Sequence, residues 1–122
     1  MRYSKKMLKP KSFYFAFKGI ADLLSGRHPN AMVHLVAVVS VCIAGYFFKI
    51  STSEWLAVIL CFIAVIALEA MNSAIEYVVD LASPEFHPLA KKAKDMAAGA
   101  VLLAAIGTVV IAAIIFLPKF NP

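Results

Sequence analysis

The sequence predicts an all-α membrane protein with three transmembrane helices and an amphipathic surface helix before them. Of the 122 residues, 62% are hydrophobic, whereas a soluble domain averages about 45–50%. The apolar residues form three runs that are long enough to cross a bilayer as helices. The lysines and arginines gather beside particular ends of those runs, as they do in membrane proteins. A chain this small can hardly enclose a site alone, so we expect an oligomer.

The N-terminal part of the chain is first basic and then amphipathic. Residues 1–11 carry five lysines and arginines and are predicted to form a basic tail. Residues 12–26 are predicted to form a surface helix, with Lys18 and Asp22 on its polar side. The apolar positions recur at spacings of four, three and four, at Phe13, Phe17, Ile20 and Leu24. The segment is too short to span a bilayer, so it should lie in the membrane interface.

Three membrane spans are predicted after this helix. The first covers 31–49, and we interpret His34 within it as an interfacial or satisfied histidine rather than a ligand. The second covers 55–80, with Trp55 as an interfacial anchor. The third lies in a helix over 88–117, whose alanines and glycines favour close helix packing. The two cysteines sit inside apolar runs and are expected to be buried small residues rather than a disulfide or a metal pair.

The charges predict the orientation of the spans. Seven lysines and arginines precede the first span and three follow the second, whereas the other connector and the C-terminus carry one each. Because cytoplasmic segments are enriched in these residues, the N-terminus should lie in the cytoplasm and the C-terminus outside. The excess of lysines and arginines over acidic residues is explained by membrane topology, and no nucleic-acid partner is expected.

The second span ends in a polar face that a membrane helix does not need for stability. At about 100° per residue, five polar side chains share this face: Glu69, Asn72, Ser73, Glu76 and Asp80. A carboxylate at membrane depth costs at least ~2.5 kcal/mol and marks a candidate functional site. The alternative is a set of carboxylates paired with basic groups for assembly, an explanation that suits Asp80 best.

Depth in the membrane divides this polar face into two parts. If Trp55 marks the outer edge of a ~30 Å core, Glu69 lies about 21 Å from it, in an apolar setting suited to a general base. Glu76 and Asp80 then reach the cytoplasmic boundary, where they could bind Mg²⁺. Lys94 could stabilise phosphate charge beside them. Lipid-directed phosphoryl transfer and an ion or proton carrier both fit, and the concentration of polar groups on the cytoplasmic side favours the former.

Two adjacent stretches resemble the prokaryotic diacylglycerol kinase and undecaprenol kinase family. They are residues 69–80, which match E-x-x-N-x-A-I-E-x-x-V-D, and residues 85–100, which contain A-K-D. The similarity covers about residues 12–118 and looks closer to the undecaprenol kinase branch. It implies a homotrimer in the bacterial inner membrane that uses ATP and Mg²⁺ to phosphorylate the hydroxyl of undecaprenol or diacylglycerol. The whole chain, 1–122, would then be one lipid kinase domain.

The resemblance also implies residue roles. Glu69 matches the catalytic base, and Asn72 and Ser73 are expected on the lipid substrate side. Glu76 matches a metal-binding carboxylate. The expected ATP-binding residues are Glu76, Asp80, Glu85, His87, Lys94 and Asp95.

One family position differs in this chain. A second metal-binding glutamate usually precedes the first span, whereas this chain has Arg27 or His28 there, depending on the direction of counting. We predict that His28 joins Glu76 as a metal ligand. A usual aromatic hydroxyl of the surface helix also corresponds to Phe15, with Tyr14 beside it. Since a hard cation prefers carboxylates, weaker metal binding is the alternative, and with it a kinase relic or a small carrier protein.

Overall fold

The computed structural model describes residues 10–121, which form an all-helical fold. The four helices are α1 (Pro10–Leu23), α2 (Pro29–Phe48), α3 (Thr52–Ala82) and α4 (Pro88–Phe120). Helices α2, α3 and α4 are each long and apolar enough to cross a membrane. The predicted fold class, three spanning helices after an amphipathic one, is confirmed within this range. Most of the predicted basic tail, residues 1–9, lies outside the described residues.

The helix ends follow from local capping chemistry. Helix α3 begins in a capping box, in which the Glu54 N–H donates to the Ser51 hydroxyl at 3.2 Å and the Ser51 N–H donates to the Glu54 carboxylate at 3.0 Å. Before α4, Nδ1 of His87 accepts the Leu89 N–H at 3.1 Å, and Pro88 occupies the first turn. Several helices therefore extend past the predicted spans, because hydropathy marks the apolar part of a helix and caps mark its ends.

The surface helix is shorter at its C-terminal end than the predicted 12–26. Helix α1 ends at Leu23, and the Ser25 hydroxyl then donates to the Asp22 carbonyl at 2.6 Å. Gly26 follows with a φ of +88°, a conformation that glycine adopts without steric cost. After this turn, the side chain of His28, the residue before α2, contacts Tyr77 of α3.

Helix α3 is the centre of the packing. It runs along α4 over much of its length and also contacts α2 and α1. At 1.5 Å per residue its 31 residues extend about 46 Å, which exceeds a ~30 Å hydrocarbon core. The N-terminal end of α3 packs against α4 through a hydrophobic core around Val58 and Ile115. The Lys119–Glu54 ion pair, at 3.1 Å, joins the same ends of the two helices. The opposite end is the polar one, and its length places it at or beyond the membrane boundary.

Gly45 of α2 packs against Trp55 near the start of α3, and we expect Gly45→Ala to destabilise the protein. An added Cβ would lie 2.7 and 2.9 Å from two ring atoms of Trp55 and 3.0 Å from Ile50. Such overpacking costs about 1–3 kcal/mol of unfolding free energy. Thermal unfolding in detergent measures the effect, with Gly107→Ala as control because its added Cβ meets no atom within 4 Å. Equal melting temperatures for the two variants would contradict this prediction.

Candidate functional site

Burial decreases along the polar face of α3 toward its C-terminal end. Glu69, Asn72 and Ser73 are buried, with exposed fractions of 3%, 5% and 6%. Glu76 and Asp80, further along the helix, are exposed. The polar face therefore extends from a buried region between the helices to a solvent-accessible region near the α3–α4 connector.

Glu69 meets a histidine from another helix. Nε2 of His34 on α2 lies 3.7 Å from Oε2 of Glu69, and the His34 side chain is 20% exposed. The interpretation of His34 as an interfacial or satisfied histidine did not identify Glu69 as its neighbour. The depth of the two residues in the membrane could have indicated this contact. At 1.5 Å per residue, His34 and Glu69 both lie within about 10 Å of the same predicted membrane boundary.

Asn72 and Glu76, which follow Glu69 along α3, place a side-chain amide and a carboxylate close together. The Asn72 Nδ2 donates to Oε1 of Glu76 at 3.4 Å, while the Asn72 Oδ1 is buried and has no hydrogen-bond partner among residues 10–121. A buried amide oxygen without a partner is uncommon and calls for an explanation. Amide and carboxylate oxygens are the ligands that hard divalent cations prefer, so these residues fit a magnesium site.

The residues predicted on the ATP side meet at the α3–α4 connector. A cavity of about 310 Å³ is lined there by five of them, Asp80, Glu85, His87, Lys94 and Asp95. The Lys94 ammonium donates to Asp80 at 2.6 Å, and the Lys91 ammonium donates to Asp95 at 2.5 Å. Glu76 does not line this cavity. The result is an open pocket lined by both lysines and carboxylates, in which an anionic ligand could replace a carboxylate as partner of a lysine.

His28 belongs to a polar cluster that also contains Asp22 and Tyr77. The Tyr77 hydroxyl donates to Oδ2 of Asp22 at 2.9 Å and lies 3.1 Å from Nε2 of His28, which is 3.4 Å from the same Asp22 oxygen. This Asp22–His28–Tyr77 cluster joins α1 and the α1–α2 turn to α3. Within residues 10–121 no hydrogen bond or ion pair links His28 to Glu76. Their joint binding of a metal stays a prediction.

No cluster of three histidine, cysteine or acidic side chains poised for a metal occurs among residues 10–121. A cation held by Asn72 and Glu76 would therefore draw further oxygen ligands from water or from a bound phosphate, which is usual for Mg²⁺.

The cluster around Asp22 should depend on pH and on the tyrosine hydroxyl. The hydrogen bond from Tyr77, and then that from His28, holds the pKa of Asp22 below its ordinary value of 3.8. A carboxyl whose pKa is lowered by folding stabilises the fold above its unfolded pKa, and this contribution is lost as pH falls through the folded pKa. The contribution of Asp22 to the attachment of α1 should therefore weaken under strongly acidic conditions.

Replacing Tyr77 by phenylalanine is expected to loosen α1 and to raise the pKa of Asp22. Hydrogen exchange of the α1 amides should become faster, and less stability should be lost on acidification, because a smaller part of it then depends on the charge of Asp22. Mass spectrometry measures the first effect, and thermal unfolding between about pH 6 and about pH 3 measures the second. Tyr46→Phe is the control, because Tyr46 on α2 is 85% exposed. Unchanged α1 exchange in Tyr77→Phe would show that the hydroxyl does not hold α1.

Two connected spaces separate α1 from α3. A cavity of about 300 Å³ is lined on its polar side by Asp22, His28, Ser73 and Tyr77. A neighbouring groove of about 480 Å³ is lined only by apolar residues, among them Leu24, Phe62 and Ile63. The cavity and the groove share Ile20, Leu23 and Ala70. The pair could accept an amphipathic molecule, with its polar end near Ser73 and its chain in the groove.

Comparisons with known proteins agree on one family. Residues 14–116 match the sequence profile of the prokaryotic diacylglycerol kinases. The undecaprenol kinase of Bacillus subtilis strain 168 is 41% identical over 109 residues, which cover 89% of this chain and 88% of that protein. A diacylglycerol kinase of Helicobacter pylori strain 26695 is 43% identical over 94 residues, covering 76% and 72%. The diacylglycerol kinase of Escherichia coli K12 is 50% identical over 46 residues, 38% of each chain.

Proposed function

We propose that this chain, which belongs to the prokaryotic diacylglycerol kinase family, transfers the γ-phosphate of ATP to the hydroxyl of a membrane lipid. The observation that carries the proposal is the arrangement of the polar face of α3. A carboxylate buried to 3% exposure, Glu69, lies at its dry end. Its accessible end opens on a pocket of lysines and carboxylates. A lipid hydroxyl and a water-soluble phosphate donor could meet between these ends.

In this proposal Glu69 is the general base. Its carboxylate accepts the proton of the lipid hydroxyl, the lipid oxygen forms a bond to the γ-phosphorus, and the bond from that phosphorus to the bridging oxygen of ADP breaks. Burial keeps water away from the reacting hydroxyl and so favours transfer to lipid over hydrolysis. Lys94 stabilises the phosphate charge, since phosphoryl transfer is catalysed mainly by positioning and electrostatics.

Glu76 and Asn72 are the residues of this chain that would hold Mg²⁺, with His28 as the further ligand expected from the sequence. The metal would neutralise charge on the phosphates of ATP. The buried Oδ1 of Asn72, which has no hydrogen-bond partner in the described part of the chain, supports this assignment, because metal coordination would provide a partner.

We propose undecaprenol as the lipid, with diacylglycerol as the second possibility. The relative that shares 41% identity along most of this chain is named undecaprenol kinase. The apolar groove between α1 and α3 suits a prenyl or an acyl chain, and the adjoining polar cavity suits a single hydroxyl near Ser73.

The membrane setting belongs to the same proposal. The kinase would be a single domain in the bacterial inner membrane, with its N-terminus and its ATP site in the cytoplasm. It would assemble as a homotrimer, and an apolar depression of about 710 Å³ between α3 and α4 supports contact with another copy or with lipid tails.

A transfer assay tests the proposed function. The purified chain in detergent is incubated with labelled ATP, Mg²⁺ and either undecaprenol or diacylglycerol, and the extracted lipids are separated. We expect label on the lipid, faster with undecaprenol, and none after chelation of divalent cations. Absence of labelled lipid with both substrates would refute the proposal, whereas faster labelling of diacylglycerol would refute only the choice of lipid.

A further inference from the structure

The carboxylate of Glu69 lies close to the imidazole of His34. Among residues 10–121 the only ion pair of its carboxylate is the one to His34, with Nε2 of His34 3.7 Å from Oε2 of Glu69, and the carboxylate makes no hydrogen bond there. Glu69 is 3% exposed, so water can replace that neighbour only to a small extent. A buried carboxylate without a donor is costly, and this makes the imidazole an important part of its surroundings.

Three other donors near the polar face, from Asn72, Arg27 and Lys94, have different partners. Asn72, one turn from Glu69, uses its amide group to donate to Glu76 at 3.4 Å. Of the cations at this end of the molecule, Arg27 pairs with Asp22 at 3.6 Å and Lys94 pairs with Asp80 at 2.6 Å. His34 is thus the group that can control the orientation of the Glu69 carboxylate.

We propose that His34 is a positioning residue for Glu69, a role that rests on the proposed function. A proton on Nε2 of His34 is donated to Oε2 of Glu69, which leaves Oε1 directed at the lipid hydroxyl. The distance of 3.7 Å is longer than a hydrogen bond, and such contacts often shorten when substrate binds. A base held by a third group is a recurrent feature of catalytic sites, because a carboxylate free to rotate presents its lone pairs less often.

Three variants of α2 test this role by kinetics. His34→Phe removes the donor and keeps an aromatic ring, and it should lower kcat by about 10²-fold, the usual cost of a misplaced catalytic group, with little change in KM. His34→Gln retains an N–H donor and should recover much of the loss. Ser40→Ala is the control, because the Ser40 hydroxyl donates only within α2, to the Val36 carbonyl at 2.8 Å. A wild-type kcat in His34→Phe, or a change confined to the KM for lipid, would overturn the inference.

A spectroscopic measurement tests the contact without relying on activity. The chain has three histidines, so ¹⁵N spectra of the labelled imidazoles can be assigned by substitution. We expect Glu69→Gln to shift the Nε2 resonance of His34 and to leave that of His87 unchanged. An unchanged His34 resonance would overturn the inference even if His34→Phe proved too unstable for kinetics. An inactive wild-type chain would instead refute the proposed function, and the positioning role of His34 with it.

Discussion

Glu69→Gln is expected to lower the rate of phosphate transfer to lipid by about 10²–10⁴-fold, the usual contribution of a general base. The amide has nearly the same shape as the carboxylate but cannot take the proton of the lipid hydroxyl. Because Glu69 is 3% exposed, water has little access to replace it as the base. The measurement is kcat with saturating lipid and ATP.

Glu54→Gln is the matched control for this substitution. It makes the same chemical change on the same helix, at the end where Glu54 pairs with Lys119 at 3.1 Å. This control should keep most of the wild-type rate. A Glu69→Gln enzyme as active as the Glu54→Gln enzyme would exclude Glu69 as the general base.

Glu76→Gln is expected to raise the Mg²⁺ concentration needed for half-maximal activity by at least about 10-fold, as loss of groups around a metal usually does. The substitution removes a negative charge that a hard cation prefers. It also changes the partner of the Asn72 amide, which now donates to Glu76 at 3.4 Å. Initial rates measured over a Mg²⁺ titration at constant ATP give the result.

Glu54→Gln is again the control, and its Mg²⁺ requirement should equal that of the wild type. If Glu76→Gln lowers the rate equally at all Mg²⁺ concentrations, Glu76 does not bind the metal. If added Mg²⁺ restores the rate, the assignment is supported.

Much of the fold was predictable from the sequence because hydropathy and capping are local properties. The three apolar runs correspond to α2, α3 and α4, and the spacing of apolar residues near the N-terminus corresponds to α1. The exact helix ends were less predictable. Ser51 and His87 cap helices through side chains in polar connectors, outside the apolar windows that defined the spans.

The candidate site was predictable only in part. Helical periodicity placed Glu69, Asn72 and Ser73 on one face of α3, and the structure buries all three. The predicted ATP-side residues other than Glu76 line one cavity. The functional roles of all these residues stay predictions. Tyr77 drew no attention in the sequence because it lies off this polar face, although its hydroxyl reaches Asp22 at 2.9 Å.

The sequence by itself determined how many helices cross the membrane and which face of the second span is polar, because these depend on the apolar length and period of a continuous segment. Only the tertiary structure decided that His34 lies against Glu69 and that His28 lies beside Asp22 and Tyr77. Each of these contacts joins residues that are far apart in the chain. Their distance depends on how each helix is rotated about its axis and offset along its neighbour, and the packing of side chains between helices sets both quantities.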